Sequence, residues 1–238
     1  MSSQSIQLYI TKPHDCGYTD GKQATNLVPD PNLPMTMGLY SQLIQLGYRR
    51  SGDHTYRPHC DDCSQCIPCR IPVDIFEARK TQQRCLKRNQ DLSVKIKPAY
   101  FSEEHFDLYS RYLSARHPDG DMVNPEPDDF KKFLYSEWSD TDFIEIRLNK
   151  TLKAVAVTDK VQNGLSAVYS YFDTSEKQRG LGSFCVLQQI LLAKSLKLDY
   201  LYLGYWIDNN KKMQYKTNFR PLEIFTDNHW SLLKNLEL

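Results

Sequence analysis

The chain has 238 residues, of which 40% are hydrophobic and 25% are charged, a composition typical of a globular protein with a sizeable core. A formal net charge of +1 excludes a protein that coats nucleic acid through its bulk charge. No apolar stretch is long enough to span a bilayer, so we expect no membrane contact. The polar residues 1–6 predict no signal peptide, and seven mostly clustered cysteines are untypical of a secreted disulfide framework. We therefore expect a cytoplasmic protein.

Residues 1–90 are irregular and rich in turns, which predicts a small N-terminal module. Its clearest helix signal is an apolar stripe of Leu39, Leu43 and Leu46, which Gly47 closes as a C-cap. A short helix is therefore expected a few residues before the most unusual part of the chain.

That part is a run of four cysteines at a constant two-residue interval, Cys60, Cys63, Cys66 and Cys69. Thiolates at this spacing can bring several sulfur atoms to one metal ion or cluster. Three of them with one further cysteine, for which Cys16 is a remote candidate, suit an iron–sulfur cluster. Zinc prefers two CxxC knuckles, and the gap between the second and third cysteines is short for that fold. Free, oxidation-sensitive thiols are the third alternative.

A basic segment follows the cysteines, and its charges recur at helical spacing. Lys80, Arg84, Lys87 and Arg88 lie on one face of the predicted helix. A basic face on a nearly neutral protein suits a local contact with phosphate groups, such as those of tRNA. A solvated helix face without a ligand explains the same pattern equally well.

From residue 91 onward the pattern becomes regular and predicts a second domain, 91–238. Ser102 and Pro127 each suit the start of a helix, and Asn163-Gly164 is a strong hairpin signal. In chain order we predict a strand at 94–96, two helices, strands at 143–148, 152–158 and 165–172, a glycine turn at 179–182, a helix, a strand at 200–206, a short helix at 210–217 and a strand at 222–225.

This order, β-α-α-β-β-β-α-β-α-β, resembles the GNAT acyltransferase fold. The loop Lys177-x-x-Gly180-x-Gly182 is similar to that fold's Q/R-x-x-G-x-G/A motif, and residues 213–219 are similar to its closing helix and turn. We therefore expect an α/β (α+β) protein. Its GNAT-like domain with a mixed sheet follows a small Cys-rich N-terminal module.

Longer strings resemble the arginyl-tRNA–protein transferase family, and in particular its bacterial, leucine-transferring branch. They are YRRSGDHTYRPHC (48–60), RIPV (70–73), AVAVTD (154–159), GLSAVY (164–169), YLGYWI (202–207), KMQYK (212–216) and FRP (219–221). The resemblance covers residues 16–225. The family also carries an N-terminal CGYC string, which here reads CGYT from Cys16 onward, so one cysteine of that pair is absent.

The resemblance implies transfer of leucine from leucyl-tRNA to the α-amine of proteins that begin with Asp or Glu. Such proteins would then enter the N-degron (N-end rule) degradation pathway, and no cofactor is required for the transfer itself. Three alternatives stay open: arginyl-tRNA as the donor, a coenzyme-A-dependent N-acetyltransferase, and a metal-binding RNA or redox-sensor module.

The chemistry of such a transfer is undemanding in one respect. An α-amine with a pKa of about 7.7–8.0 is partly neutral at pH 7, and the aminoacyl ester is already activated. The enzyme mainly has to hold the two at attack distance and stabilise the tetrahedral oxyanion. By analogy with GNAT folds, we expect backbone N–H groups of a splayed or bulged fourth strand to do this, from Val168, Tyr169, Ser170 and Tyr171.

The acceptor's carboxylate requires a cationic receptor, for which arginine is well suited because it binds carboxylates in a bidentate manner. The candidates flank the cysteine run: Arg49, Arg50, Arg57 and Arg70. Pairing of these arginines with Asp53, Asp61, Asp62 or Asp74 is the alternative.

The donor's aminoacyl-adenosine and phosphates require a second set of contacts. Besides the basic helix, the candidates are Gly180, Gly182, Tyr205, Trp206, Lys211, Tyr215 and Lys216. Backbone amides of a glycine turn at a helix N-terminus suit an anion. For the aromatic residues of this set, a role in the core is the more common explanation.

Overall fold

The computed structural model describes residues 6–118, 123–208 and 210–233. Its N-terminal part forms a four-stranded sheet in the order β1-β4-β6-β5, a two-stranded ladder β2-β3 and one helix. The bounds are β1 (Leu8–Ile10), β2 (His14–Asp15), β3 (Gln23–Ala24), β4 (Asn26–Pro29), α1 (Met37–Gln45), β5 (Arg49–Ser51) and β6 (His54–Pro58). The predicted helix is confirmed in α1. Thr36 caps its first turn, and Gly47 follows its end with a φ of +82°.

The remaining elements build a larger unit. They are β7 (Ile67–Pro72), α2 (Lys80–Arg88), β8 (Leu92–Pro98), α3 (Glu103–Arg116), α4 (Pro127–Leu134), β9 (Thr141–Leu148), β10 (Thr151–Val161), β11 (Gly164–Phe172), α5 (Leu181–Ser195), β12 (Tyr200–Trp206), β13 (Glu223–Thr226) and β14 (His229–Leu232), with 3₁₀ helices at Lys177–Arg179 and Gln214–Asn218. The strands form one eight-stranded sheet in the order β14-β13-β7-β12-β11-β10-β9-β8. Strands β11 and β12 run parallel, and the other neighbours are antiparallel, so the predicted mixed sheet is confirmed.

Strand β7 lies inside this sheet, although it belongs to the first ninety residues. Arg70 is paired with Tyr202 of β12 on one side and with Glu223 of β13 on the other. Helix α2 also packs against α5. The division at residue 90 stays a prediction, but residues 67–88 contribute to the sheet and core of the larger unit.

Two hydrophobic layers cover the two faces of the sheet, because successive strand side chains point to opposite faces. Ile144, Ala154 and Ala156 pack beneath α5 in one core cluster. Phe143 and Val155 pack beneath α3 and α4 in the other. No helix in the described part of the chain combines the length and apolar character that a bilayer crossing requires.

The predicted helix starts and hairpin are confirmed. Ser102 Oγ accepts a hydrogen bond from the His105 N–H at 3.2 Å, Pro127 occupies the first turn of α4, and Val161 pairs with Gly164 across a tight turn. The short helix expected at 210–217 is instead a turn followed by a 3₁₀ helix.

Candidate active site

Strands β11 and β12 separate part-way along their length. They pair at three positions, from Gly164↔Tyr200 to Ser166↔Tyr202. Beyond this point Val168 is an extra residue in β11, because Ala167 and Tyr169 face consecutive residues of β10. Such a β-bulge bends its strand and leaves backbone groups unpaired.

The four residues predicted to supply backbone N–H groups lie in this separated segment. Val168, Tyr169, Ser170 and Tyr171 all follow the last position at which β11 pairs with β12. The expected bulged fourth strand of the C-terminal region is therefore present, and the stabilisation of an oxyanion by these groups stays a prediction.

Arg49 of β5 reaches into the opening between the two strands. Its Nη2 donates to the Val168 carbonyl oxygen at 3.3 Å, and its guanidinium carbon lies 5.9 Å from the centre of the Tyr205 ring. The neighbouring Tyr56 raises the pKa of Arg49, and this effect outweighs the opposing effect of burial. Among the described residues, no carboxylate forms an ion pair with Arg49. The site therefore contains a permanent positive charge that no described carboxylate neutralises.

Gly204 allows the guanidinium to approach the backbone of β12. Its φ is +72°, and a Cβ atom at this position would lie 3.6 Å from the Arg49 guanidinium. A register shift in β12 between Tyr202 and Gly204 marks the same place. Glycine is favoured here because it adopts this conformation without strain and leaves room beside the cation.

Lys216 approaches the same site from the 3₁₀ helix Gln214–Asn218. Lys216 is only 5% exposed, and its Nζ donates to the Tyr205 carbonyl oxygen. Burial lowers the pKa of Lys216 to about 8. Its predicted contact with the tRNA stays a prediction.

Two of the four predicted receptor arginines form ion pairs with acids of the fold. Arg50 Nε and Nη2 each donate to an Asp159 oxygen at 2.7 Å, and both side chains are fully buried. Arg70 Nε donates to Glu223 at 2.6 Å, and its guanidinium lies between two rings, those of Tyr200 and Trp230. Neither guanidinium is available to an acceptor, so both assignments are wrong. The partners are also distant acids rather than the aspartates near the cysteine run.

Arg57 is placed at the end of helix α1. Its Nη1 donates to the Leu46 carbonyl oxygen at 2.9 Å, and its guanidinium carbon lies 5.4 Å from the centre of the Tyr48 ring. The side chain thus satisfies a carbonyl that the helix leaves free. Of the four arginines, only Arg49 lies in the opening between β11 and β12.

Four cysteines gather beside the site, but they are not the four consecutive ones. Burial, together with the nearby thiols of Cys16, Cys60 and Cys63, raises the pKa of Cys66 to about 12. Cys69 is separate from them: it lies in the core, its Sγ donates to the Gly204 carbonyl oxygen at 3.4 Å, and burial raises its pKa to about 11. Its assignment as a metal ligand is therefore wrong.

The gathered cysteines do not form a recognisable metal site in the described part of the chain. Over residues 6–118, 123–208 and 210–233, no group of three or more His, Cys, Asp or Glu side chains has an arrangement that can hold one. The observed arrangement of the cysteines therefore does not fit a metal ion or cluster. The iron–sulfur or zinc site stays a prediction.

The predicted basic helix is fixed to the glycine turn that begins α5. All four basic residues, Lys80, Arg84, Lys87 and Arg88, are exposed. Arg88 Nη1 donates to the Gln178 carbonyl oxygen, and Asn89 Nδ2 donates to the Arg179 carbonyl oxygen at 2.9 Å. Gly180 has a φ of +66°, and Gly182 packs against the Phe172 ring. The structure thus brings the helix and the turn together, and their contact with tRNA stays a prediction.

The aromatic residues predicted for the site do not all face it. Tyr205 faces the site, and its hydroxyl donates to the Tyr56 carbonyl oxygen at 2.8 Å. Trp206 points to the opposite side of β12 and belongs to the core beneath α5, so its assignment to the binding site is wrong. Tyr215 is 42% exposed, and Lys211 is exposed as well.

Sequence reasoning missed Tyr18, Tyr56 and Gly204. Tyr18 belongs to the N-terminal module, and the Arg49 charge acts on its hydroxyl, which shows that this segment reaches the site. A lone glycine inside an apolar strand is a recognised signal of a bulge or of a close backbone approach. That signal was present at Gly204.

Sequence comparison gives close relatives. An aspartate/glutamate leucyltransferase of Pseudomonas fluorescens (strain Pf0-1) is 50% identical over 229 residues, which cover 96% of this chain and 97% of that protein. Enzymes with the same name from Pseudomonas aeruginosa (strain LESB58) and Hahella chejuensis (strain KCTC 2396) are 49% and 46% identical, each over 97% of its own length and over 96% and 95% of this chain.

Among solved structures, FemX matches with a TM-score of 0.47 and 8% identity, over 87% of this chain and 81% of that one.

The family models of arginine-tRNA-protein transferase match at residues 14–84 for the N terminus and 104–226 for the C terminus. The two models together span most of the chain. With identities near 50% over almost the full length, they establish that this chain belongs to the arginine-tRNA–protein transferase family.

Proposed function

We propose that this protein transfers leucine from leucyl-tRNA to the α-amino group of proteins whose first residue is Asp or Glu. The names of its close relatives support the leucyl donor and the acidic acceptors. The reaction takes place in the cytoplasm and gives its products an N-terminal leucine, which commits them to the N-degron pathway.

In this reaction the neutral α-amine attacks the ester carbonyl carbon of leucyl-tRNA. An amide bond forms, the bond between the carbonyl carbon and the ribose oxygen breaks, and the proton lost by the amine is transferred to that oxygen. The negative charge of the tetrahedral intermediate requires fixed hydrogen-bond donors. The candidate donors are backbone N–H groups of β11 beyond Ser166, where this strand still pairs with β10 but no longer with β12.

The observation that carries the acceptor assignment is the environment of Arg49. A largely desolvated guanidinium with no carboxylate partner is costly, and an anionic ligand removes that cost. It lies 3.3 Å from the Val168 carbonyl oxygen, so a bound carboxylate would hold its α-amine close to the separated strand. An Asp or Glu side chain fits this charge, whereas Asn, Gln or Lys at the first position does not.

The donor approaches the same strand from the α5 side. Helix α2 presents Lys80, Arg84 and Lys87 next to the glycine turn, and Gly182 packs against Phe172 at the end of β11. A basic helix beside free amides at a helix N-terminus suits the phosphates of a tRNA end. Donor and acceptor thus meet along one strand.

The test offers labelled leucyl-tRNA and arginyl-tRNA in parallel to peptides that begin with Asp, Glu, Asn or Lys. Transfer from leucyl-tRNA to the Asp and Glu peptides is expected. Preferential use of arginyl-tRNA would replace the donor, and acetyl transfer from acetyl-coenzyme A without any aminoacyl transfer would overturn the proposal.

The acceptor site is tested with Arg49→Met. We expect the KM for the Asp peptide to rise by at least about tenfold while the KM for leucyl-tRNA stays within about twofold, because only the acceptor carboxylate loses its partner. Arg111→Met is the matched control, since Arg111 is an exposed arginine of α3. An equal rise in both KM values would refute the assignment of Arg49.

A further inference from the structure

Lys216 is a buried cation that has no counter-ion among the residues that the structure describes. It is 5% exposed, and its ammonium donates to one partner in the described part of the chain, the Tyr205 carbonyl oxygen. Lys153 shows how the same protein treats another lysine that is only 15% exposed: its Nζ lies 3.0 Å from Asp173 and 2.8 Å from Glu176. Lys194, which also donates to a main-chain carbonyl, is exposed to water. Of these three lysines, Lys216 alone is buried without an acidic partner among the described residues.

Lys216 and Arg49 each donate a hydrogen bond to one of the two strands that separate at the active site. Arg49 donates to a carbonyl of β11, at Val168, and Lys216 donates to a carbonyl of β12, at Tyr205. Both cations therefore contact Tyr205, one at its ring and one at its backbone. An ammonium has three N–H donors and a guanidinium has five, so each cation retains donors beyond those single hydrogen bonds.

Two neighbouring positive charges in a desolvated site repel each other. The Arg49 charge contributes to the low pKa of Lys216, although burial is the larger cause, and at a pKa of about 8 the ammonium is still mostly charged at pH 7. No Asp or Glu of the described residues forms an ion pair with either cation. One bound carboxylate would satisfy both.

From this arrangement we infer that Lys216 is a second cationic residue of the acceptor site. Lys216 and Arg49 bind the side-chain carboxylate of the N-terminal Asp or Glu between them, so the pair determines the specificity for acidic acceptors. This inference rests on the proposed function, in which Arg49 is the first receptor.

A carboxylate fits this place better than a phosphate of the donor tRNA. Lys216 lies near Arg49 and the thiols of Cys66 and Cys69, and the Tyr205 side chain beside Arg49 donates through its hydroxyl to the Tyr56 carbonyl oxygen at 2.8 Å. The exposed basic face of α2 is a separate surface at the start of α5. A phosphate contact of Lys216 is retained as an outcome of the test.

The experiment compares wild type, Lys216→Met, Lys216→Arg and Arg49→Met, with Lys150→Met as a control at an exposed turn. For each protein, kcat/KM is measured with peptides that begin with Asp and with Asn, and the KM for leucyl-tRNA is measured separately. For Lys216→Met we expect the Asp-to-Asn ratio to fall by about tenfold or more with the leucyl-tRNA KM within about twofold. Lys216→Arg retains the charge and should recover part of the ratio.

Other outcomes overturn the inference. If Lys216→Met lowers kcat/KM equally for both peptides, Lys216 acts only through the Tyr205 backbone. If it raises only the KM for leucyl-tRNA, the residue belongs to the donor site. Should Lys216→Met fail to fold, as judged by thermal unfolding, Lys216→Gln takes its place in the same comparison.

The two proposals fail separately. A ratio that falls in Arg49→Met but not in Lys216→Met removes Lys216 and leaves Arg49 as the receptor. A ratio that is unchanged in Arg49→Met removes the receptor of the proposed function itself.

Discussion

Arg49 and Arg50 are consecutive residues of strand β5, and their guanidinium groups lie in opposite electrostatic environments. Arg50 forms two hydrogen bonds of 2.7 Å with Asp159 in a fully buried ion pair. Arg49 points to the other side of the strand, where it contacts the Val168 carbonyl and the Tyr205 ring but no acid among the described residues. Because successive side chains of a strand point to opposite faces, Arg50 stabilises the fold and Arg49 faces the active site.

Arg50→Met should strongly destabilise the protein. Removal of one partner leaves Asp159 buried without its counter-ion, which costs about 3–5 kcal/mol. Arg50 also donates to the Leu134 carbonyl oxygen at 2.9 Å, and that contact is lost as well. Urea unfolding of this variant and of Arg49→Met measures the contrast. Equal losses of stability in the two variants would contradict the division of roles.

A buried carboxylate far from the site governs the response of the fold to acid. Glu145 accepts hydrogen bonds from Arg147 Nε at 2.8 Å and from the Tyr100 hydroxyl at 3.1 Å, and it pairs with Lys97 at 3.0 Å. Burial opposes its ionisation, but the hydrogen bonds from Arg147 and Lys97 prevail and lower the pKa of Glu145 to about 2. Because this pKa lies below that of the unfolded chain, the ionised form stabilises the native state.

We predict that this stabilisation is complete above a pH of about 4.5 and is lost as the pH falls towards about 2. It amounts to about 3 kcal/mol when one pKa unit corresponds to about 1.4 kcal/mol. The free energy of unfolding, measured against pH for wild type and Glu145→Gln, should show this slope only in wild type. Glu137→Gln, at an exposed position, should retain it. A slope that persists in Glu145→Gln would assign it to other carboxylates.

The exposed face of α2 should determine the salt dependence of donor binding. We predict that replacement of Lys80, Arg84 and Lys87 by Gln raises the KM for leucyl-tRNA and reduces the slope of log KM against log salt by about 0.7–0.9 per lost phosphate contact. The KM for the acceptor peptide should not change. Replacement of the exposed lysines Lys95, Lys150 and Lys197 removes the same charge elsewhere. An identical effect of this control set would show that net charge, not α2, is responsible.

Local signals were sufficient for most elements of the C-terminal part. The cap at Ser102, the proline at the start of α4 and the hairpin at Asn163-Gly164 each depend on a few neighbouring residues, and the structure contains all three features. A splayed or bulged fourth strand was expected from the resemblance to acyltransferases, and the structure has a bulge in that strand at Val168. Features of this kind are readable because the responsible interactions are short-range in sequence.

Ion pairs and strand pairs between residues far apart in the sequence could not be predicted. The partner of Arg50 is 109 residues away, and the partner of Arg70 is 153 residues away. The same limit applies to Cys69, whose place in the sheet interior follows from pairing of β7 with strands near the end of the chain. Regular spacing of the cysteines suggested four equivalent ligands, but the last of them lies in a strand and the others do not.

Gly204 offers a way to occupy the acceptor site from within the protein. Asn and Asp both tolerate its positive φ better than other residues, so neither Gly204→Asn nor Gly204→Asp should strain the backbone strongly. Their side chains would extend towards the Arg49 guanidinium, which lies 3.6 Å from the position of a Cβ atom. Only the Asp variant brings a negative charge that competes with the acceptor carboxylate. We therefore predict that Gly204→Asp raises the KM for the Asp peptide by about tenfold relative to Gly204→Asn, while both have the same KM for leucyl-tRNA. Indistinguishable acceptor kinetics of the two variants would mean that the carboxylate of the acceptor does not bind beside Gly204.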